Sequence, residues 1–194
     1  MSKIITYFPT SFFIFEDLLS KEENKILLNK SNEIKNNSKK GGTNFLSQLY
    51  NTHGSFDLLN DSYFKKLINL VEDKTNEFAK EMFSNSKYNV LSSWLNFYHK
   101  NDFQEYHQHS DSIFSAVYII KAEKNDCYLT FENPSNPYDM KKLKNISAYN
   151  ELTFENVKFD VPERSLIIFR SFLKHCVSQK TKESIRISAA FNLS

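Results

Sequence analysis

The stretch Trp94–Ile120, WLNFYHKNDFQEYHQHSDSIFSAVYII, decides how the rest of the chain is read. At its centre stand His107, Gln108 and His109, with Asp111 two residues further on. Residues at i, i+2 and i+4 of an extended strand share one face, spaced by about 6.6 Å. A strand over Gln104–His109 therefore predicts that His107 and His109 converge on one point, joined by Asp111 if the strand continues. Two imidazoles at that spacing grip a divalent first-row metal with little further ordering. The third ligand must come from elsewhere, and the chain offers His175. Such a ligand set suits an open iron site better than a structural zinc site, which usually wants more sulfur. Each piece also has a plainer reading. A His-x-His pair alone fits two unrelated polar residues on an exposed strand edge, and a lone histidine such as His175 is commonly a capped or core residue. His53 and His99 have no partners in this pattern and receive no role.

Outward from the centre, period-two alternation runs from Val90 onward. Strands are expected at Val90–Tyr98, Gln104–His109, Ile113–Lys121, Asp126–Glu132, Val157–Val161, Leu166–Arg170 and Ser184–Asn192. Pro134, Asn136 and Pro137 mark a loop, and Tyr138–Asn150 shows no clear period. Before Val90 the pattern is different. Ile4–Phe8 and Phe12–Phe15 read as two short strands broken by Pro9. Ser20-Lys21-Glu22-Glu23 is a capping box that opens a helix carrying Ile26, Leu27 and Leu28. A second helix, capped by Asn60 or Asp61, places Phe64, Leu67, Ile68, Val71, Phe78 and Met82 on one face. Between the two helices, Asn36–Phe45 is polar and contains Gly41 and Gly42, so it reads as a mobile loop that could cover a site. Helices followed by many short strands predict a mainly β fold with packed helices, a sandwich or jelly roll with the N-terminal helices against one sheet. One domain spans 1–194, with 1–88 a helical support region and 89–194 the metal-binding core.

Composition narrows the function classes. The chain has 194 residues, 40% of them hydrophobic and 25% charged, which is ordinary for a globular domain. A net charge of +2 gives no reason to expect nucleic acid. Cys127 and Cys176 are the two cysteines, without a Cys-x-x-Cys motif, which predicts no disulfide framework and a reducing, cytoplasmic setting. On a strand Cys176 points away from the face of His175 and is expected in the core. Tyr7–Phe15 is apolar but short and contains Pro9, so it reads as strand and not as a signal peptide. No segment is long enough to span a membrane as a helix. A homodimer stays open.

The last strand carries the second signal. Ile185, Ile187, Ala189 and Phe191 take one face; Arg186, Ser188, Ala190 and Asn192 take the other. If the sheet curls, the Arg186 face lines its interior, and an interior arginine needs an anion. Arg186 with Ser188 beside it makes a carboxylate anchor, because the guanidinium pairs bidentately and the hydroxyl adds a bond. Asn96 and Tyr98 share a strand face with Trp94 and precede the turn into His107, so they are expected to line the same pocket.

Taken in order, these motifs resemble the 2-oxoglutarate/Fe(II)-dependent dioxygenase superfamily. More closely, the chain resembles a 2OG-Fe(II) oxygenase family common in marine bacteria and their phages. The residues that carry the resemblance are Trp94, Asn96 and Tyr98; His107 and His109; Ser115–Ile120; Phe131-Glu132-Asn133-Pro134; Ile168–Val177 with His175; and Arg186–Asn192. The separation of Arg186 from His175, 11 residues, also fits the superfamily. Asn101, Ala116 and Arg164 stand about where the family has glycine; Asn101 tolerates positive φ, and the Ala116 methyl is expected to narrow the pocket. The resemblance implies a double-stranded β-helix that binds Fe(II) and 2-oxoglutarate, with the distal carboxylate on Arg186 and Ser188. It implies hydroxylation of a small molecule or a protein side chain, with 2-oxoglutarate decarboxylated to succinate. No catalytic residue beyond the metal ligands is implied. Two other classes share parts of the pattern. A three-His enzyme of cupin type would use no 2-oxoglutarate and leave Arg186 without a task, and an inactive jelly-roll binding module would keep the fold alone.

The ligand register can be read two ways. His109 and Asp111 would form the His-x-Asp pair of the common facial triad, in which a carboxylate neutralises charge. Alternatively His107 and His109 bind with His175, while Asp111 caps the turn before Ile113. The spacing from Tyr98 to His107, nine residues, resembles that of the superfamily and brings Ser115–Tyr118 into line without a gap. The resemblance therefore favours His107, His109 and His175, with Asp111 as the alternative ligand.

Overall fold

The alternation after Val90 is realised as two antiparallel sheets packed face to face. The computed structural model describes residues 3, 9–42, 46–135, 145, 147, 148, 150 and 153–194. In chain order the elements are β1 (Phe12–Phe15), α1 (Lys21–Asn37), β2 (Tyr50–Asn51), α2 (Lys65–Glu81), β3 (Val90–Tyr98), β4 (Gln104–His107), β5 (Phe114–Lys121), β6 (Leu129–Glu132), β7 (Asn156–Phe159), β8 (Leu166–Arg170), β9 (His175–Val177) and β10 (Arg186–Leu193). Among the described residues the larger sheet runs β1-β8-β5-β10-β3-β2 and the smaller β4-β9-β6-β7. This is the jelly-roll arrangement expected, with both helices on the outer face of the larger sheet. β1, at the expected Phe12–Phe15, and β2 supply the two edges of that sheet. The expected strand Ile4–Phe8 and most of Tyr138–Asn150 lie outside the described residues.

The helices form for local reasons. The Glu23 N–H donates to Ser20 Oγ at 3.2 Å, and the Ser20 N–H donates to Glu23 Oε2 at 2.9 Å, completing the capping box of α1. Asp61 does not cap α2 directly. Its carboxylate accepts from the Tyr63 N–H at 2.9 Å and opens a 3₁₀ turn, Ser62–Phe64, that leads into the helix. Phe64, Leu67, Ile68, Val71 and Phe78 are buried on the predicted face, and Met82 packs beside them. Buried Asn24 ties α1 to the sheet: its Nδ2 donates to the Ile120 carbonyl and its Oδ1 accepts from the Tyr118 hydroxyl, both at 2.9 Å. Both ends of this buried amide are satisfied, so its burial is not a penalty.

β10 sits at the centre of the larger sheet, between β5 and β3. Its Ile187, Ala189 and Phe191 join the core beneath the helices, while Arg186 and Ser188 face the smaller sheet and are buried there. The same alternation on β5 sends Phe114, Ala116, Tyr118 and Ile120 to the helix side. Ala116 packs in this outer core and also lines the cavity between the sheets. The inner core between the sheets comprises Tyr98, Ile119, Leu129, Phe131, Ile167, Phe169 and Val177, among others. Asn101 and Arg164 adopt left-handed backbone, φ 72° and 65°. Arg164 is held there by its Nη1, which donates to the Leu19 carbonyl at 3.1 Å, and by a contact with Asp17.

Phe131 connects this core to the site. Its ring lies 4.6 Å from that of Phe12, 4.7 Å from Phe169 and 5.5 Å from His175, and it is 1% exposed. Phe131→Ala should cost about 3–5 kcal/mol of stability. Urea denaturation measures this, and a loss under about 1 kcal/mol would show that the ring is not a structural anchor.

Candidate metal centre

β4 and β9 lie side by side in the smaller sheet, with His107 paired to His175. β4 ends at His107, two residues short of the expected Gln104–His109 strand. His109 thus reaches the site from irregular backbone, and not from the i, i+2 geometry of a strand. Its position is set instead by its N–H, which donates to the Ser171 carbonyl at 3.0 Å. The three rings nevertheless meet. Centroids of His107 and His175 lie 4.3 Å apart, His107 and His109 5.2 Å, and His109 and His175 5.3 Å. One potential ligand atom from each lies within 4.8 Å of the others. Asp111 is exposed, outside this group, and bonded by the Ser110 hydroxyl at 3.2 Å. Cys176 points off the opposite face, as expected, but it is half-buried and not a core residue.

The chemistry of the three rings fits a divalent cation. His107 Nδ1 lies 2.8 Å from the Glu105 carbonyl, and His175 Nδ1 lies 2.8 Å from the Leu173 carbonyl. A carbonyl only accepts, so each Nδ1 carries the proton and each Nε2 keeps its lone pair for a metal. Burial, and secondarily the charge of His107, hold His109 down to about 4; a hydrogen bond with the Asn192 side chain opposes them. Burial likewise lowers His107 and pushes His175 well down. All three are neutral at pH 7, the protonation state a metal requires. The Trp94 ring stacks on His109 at 5.9 Å and 20°.

These histidines open onto a cavity of about 280 Å³ that continues to Arg186. Asn96, Tyr98, Arg186 and Ser188 line it, as expected. Arg186 is 3% exposed. Its guanidinium lies 5.1 Å from the centroid of the Tyr98 ring, its Nη1 is 3.5 Å from Ser188 Oγ, and no carboxylate among the described residues is within ion-pair distance. An unpaired buried guanidinium is costly, and an anion in the cavity would offset that cost. Burial drives the Tyr98 phenol above its usual range, with Arg186 opposing, so its hydroxyl stays protonated. Some lining residues had no signal in the pattern. His53 stands edge-on to Trp94 at 4.8 Å, and Gln104, Gln108 and Asn51 line the cavity with it. His99 contacts Lys35 Nζ at 2.8 Å, outside the site. Of the expected loop Asn36–Phe45, Asn36 and Asn37 instead end α1, and Gly42 lines the cavity; residues 43–45 lie outside the described residues.

With this geometry in view, the comparisons with known proteins agree. Residues 92–192 match the family model "Putative 2OG-Fe(II) oxygenase", and the chain belongs to that family. Its cofactors are accordingly iron(II) and 2-oxoglutarate. No curated protein matches the chain in sequence. Solved structures share the fold at low identity. The epimerase SnoN of nogalamycin biosynthesis, a non-heme, alpha-ketoglutarate-dependent enzyme, is 10% identical with a TM-score of 0.71, over 95% of this chain and 78% of that one. A prolyl-4-hydroxylase from Pseudomonas putida is 11% identical with a TM-score of 0.66, over 94% and 92%. HygX from Streptomyces hygroscopicus, solved with nickel, 2-oxoglutarate and hygromycin B, is 10% identical with a TM-score of 0.65, over 95% and 83%. Among the described residues no helix is long and apolar enough to cross a membrane.

The depressed histidines imply a pH dependence. For His109 the ordinary value is 6.5 and the folded value about 4. Between these the unfolded chain binds a proton that the folded chain does not, so metal-free protein loses stability as pH falls through that window. Urea midpoints at pH 7 and pH 5 test this. An equal or higher midpoint at pH 5 would contradict it, and His109→Gln should reduce the loss.

Proposed function

We propose that the protein is a dioxygenase that hydroxylates a small molecule or a protein side chain, with His107, His109 and His175 as iron ligands and Arg186 as the anchor for 2-oxoglutarate. The observation that carries this reading is the unpaired, buried Arg186 at one end of a cavity whose other end holds three neutral imidazoles. When bound, iron(II) and 2-oxoglutarate supply the oxidation: dioxygen is consumed, 2-oxoglutarate yields succinate and CO₂, and one oxygen atom enters a C–H bond. The contribution of the chain is positional. His107 and His175 are held in one tautomer by backbone carbonyls, which makes Nε2 of each the ligand atom. His109 is held through its own N–H and through Asn192.

Three neutral imidazoles leave a divalent site more positive than two imidazoles and a carboxylate would. The dianionic co-substrate offsets part of that excess. Arg186 pairs with its distal carboxylate, Ser188 adds a hydroxyl, and the protonated Tyr98 hydroxyl is available as a further donor. Leu129, Phe169 and Val177 exclude water from the space between. Trp94, His53 and Gly42 form the mouth through which a substrate would reach the histidines. A prolyl hydroxylase and a protein with hygromycin B bound share this fold, which keeps both substrate classes open. A cupin-type reading without 2-oxoglutarate leaves the buried charge of Arg186 unexplained.

Arg186→Ala should weaken 2-oxoglutarate binding by about 2–5 kcal/mol. Anaerobic titration of Fe(II)-loaded protein measures this, and unchanged affinity would remove 2-oxoglutarate from the site. The ligand assignment is tested by metal content: His107→Ala, His109→Ala and His175→Ala should each lose iron, and Asp111→Asn should retain it. Loss on Asp111→Asn with retention on His107→Ala would shift the register to His109 and Asp111.

A further inference from the structure

β4 is bulged, and the bulge has a chemical result. Gln104 pairs with Val177, and His107 pairs with His175. Three residue steps on β4 thus oppose two on β9. In a regular strand, residues three apart face opposite sides. The extra residue of a bulge returns them to the same side. Gln104 and His107 accordingly both line the cavity, while Tyr106 between them is exposed.

Gln104 is 8% exposed, and its Nε2 is buried without a hydrogen-bond partner among the described residues. A buried amide donor left unpaired is uncommon in native proteins and destabilising. Its place in the cavity indicates what would pair with it. β3 ends at Tyr98, a short turn follows, and β4 begins at Gln104. Tyr98 is paired with Arg186 on β10. Gln104 therefore enters the cavity at the Tyr98–Arg186 end, with His107 further along β4 toward the metal end. The orphan donor and the unpaired cation are two observations made on different sheets: the amide calls for an acceptor, the guanidinium for negative charge, and a carboxylate supplies both.

We propose that Gln104 is a co-substrate-binding residue: its Nε2 donates to the distal carboxylate of 2-oxoglutarate, opposite Arg186 and Ser188. The proposal rests on the reading of the site given above, and the test separates the two. Binding is measured anaerobically by calorimetry on Mn(II)-loaded protein, with 2-oxoglutarate and with 2-oxobutyrate, which keeps the keto acid and lacks the distal carboxylate. Gln104→Met, which keeps the length of the side chain without the donor, should weaken 2-oxoglutarate about tenfold, in the range for a hydrogen bond to a charged group. It should leave 2-oxobutyrate and Mn(II) affinities unchanged. Gln104→Glu, the isosteric variant, sets a like charge beside the carboxylate and should weaken 2-oxoglutarate further than Gln104→Met. Equal losses for both ligands, or no loss of 2-oxoglutarate affinity in either variant, overturn the assignment. Arg186→Ala is the control. If it loses 2-oxoglutarate while both Gln104 variants bind normally, the role of Gln104 alone fails. If it binds 2-oxoglutarate as tightly as the unaltered protein, the reading of the site fails with it.

Discussion

β10 is covered on both faces, by helices on one and by the smaller sheet on the other, and this constrains everything near it. A strand in that position normally reads as continuous hydrophobic sequence. Here the outer face is apolar and the inner face carries Arg186 and Ser188, each nearly inaccessible to solvent. A cation placed there without a protein counter-charge raises the free energy of the empty fold. The two cores bear that load. Ile187, Ala189 and Phe191 bind the strand to the helix side, and Tyr98, Leu129, Phe131, Phe169 and Val177 close the space between the sheets. On the proposed reading, a bound dianion would lower the energy that the fold alone leaves high.

The two ends of the cavity are prepared differently. At the histidine end the backbone does most of the positioning: the carbonyls of Glu105 and Leu173 each hold an Nδ1, and the Ser171 carbonyl holds the His109 amide. Backbone acceptors move little, so the rings are set with small conformational freedom to lose. At the arginine end side chains dominate, and the partners are incomplete. Arg186 has a long contact to Ser188 and an aromatic face in Tyr98, and Gln104 Nε2 has no acceptor among the described residues. The contrast fits the proposed roles: preorganised histidines as metal ligands, and an arginine end that a bound co-substrate would complete.

A set of hydroxyls links the ends of these elements. Ser115 Oγ donates to Asn192 Oδ1 at 3.1 Å and lies 2.8 Å from Ser171 Oγ, which accepts from Ser112 at 2.9 Å. The network ties β5 and β10 to the turn that supports His109. Buried hydroxyls that satisfy one another in this way specify an arrangement more than they add stability.

Much of this was legible in the sequence, for a physical reason. Periods of 2 and 3.6 are local, so the boundaries of β3 and β8, the capping box at Ser20, the apolar face of α2 and the inward alternation of Arg186 and Ser188 can all be read from neighbouring residues. The candidate residues His107, His109, His175 and Arg186 were visible too, as an ordered motif set. What the sequence could not specify depends on contacts between strands. β9 and β2 are too short to carry a period. The end of β4 at His107 and the bulge behind it are set by register against β9, which no window of β4 residues encodes. His109 reaches the cluster because a carbonyl from a distant turn holds its amide. His53 lines the cavity because β2 and the backbone after it pack beside Trp94. Gln104 looks like any polar strand residue until the tertiary structure buries its amide in the cavity that Arg186 also lines. Distances across the cavity, and the unmet hydrogen-bonding capacity inside it, arise only when both sheets are in place.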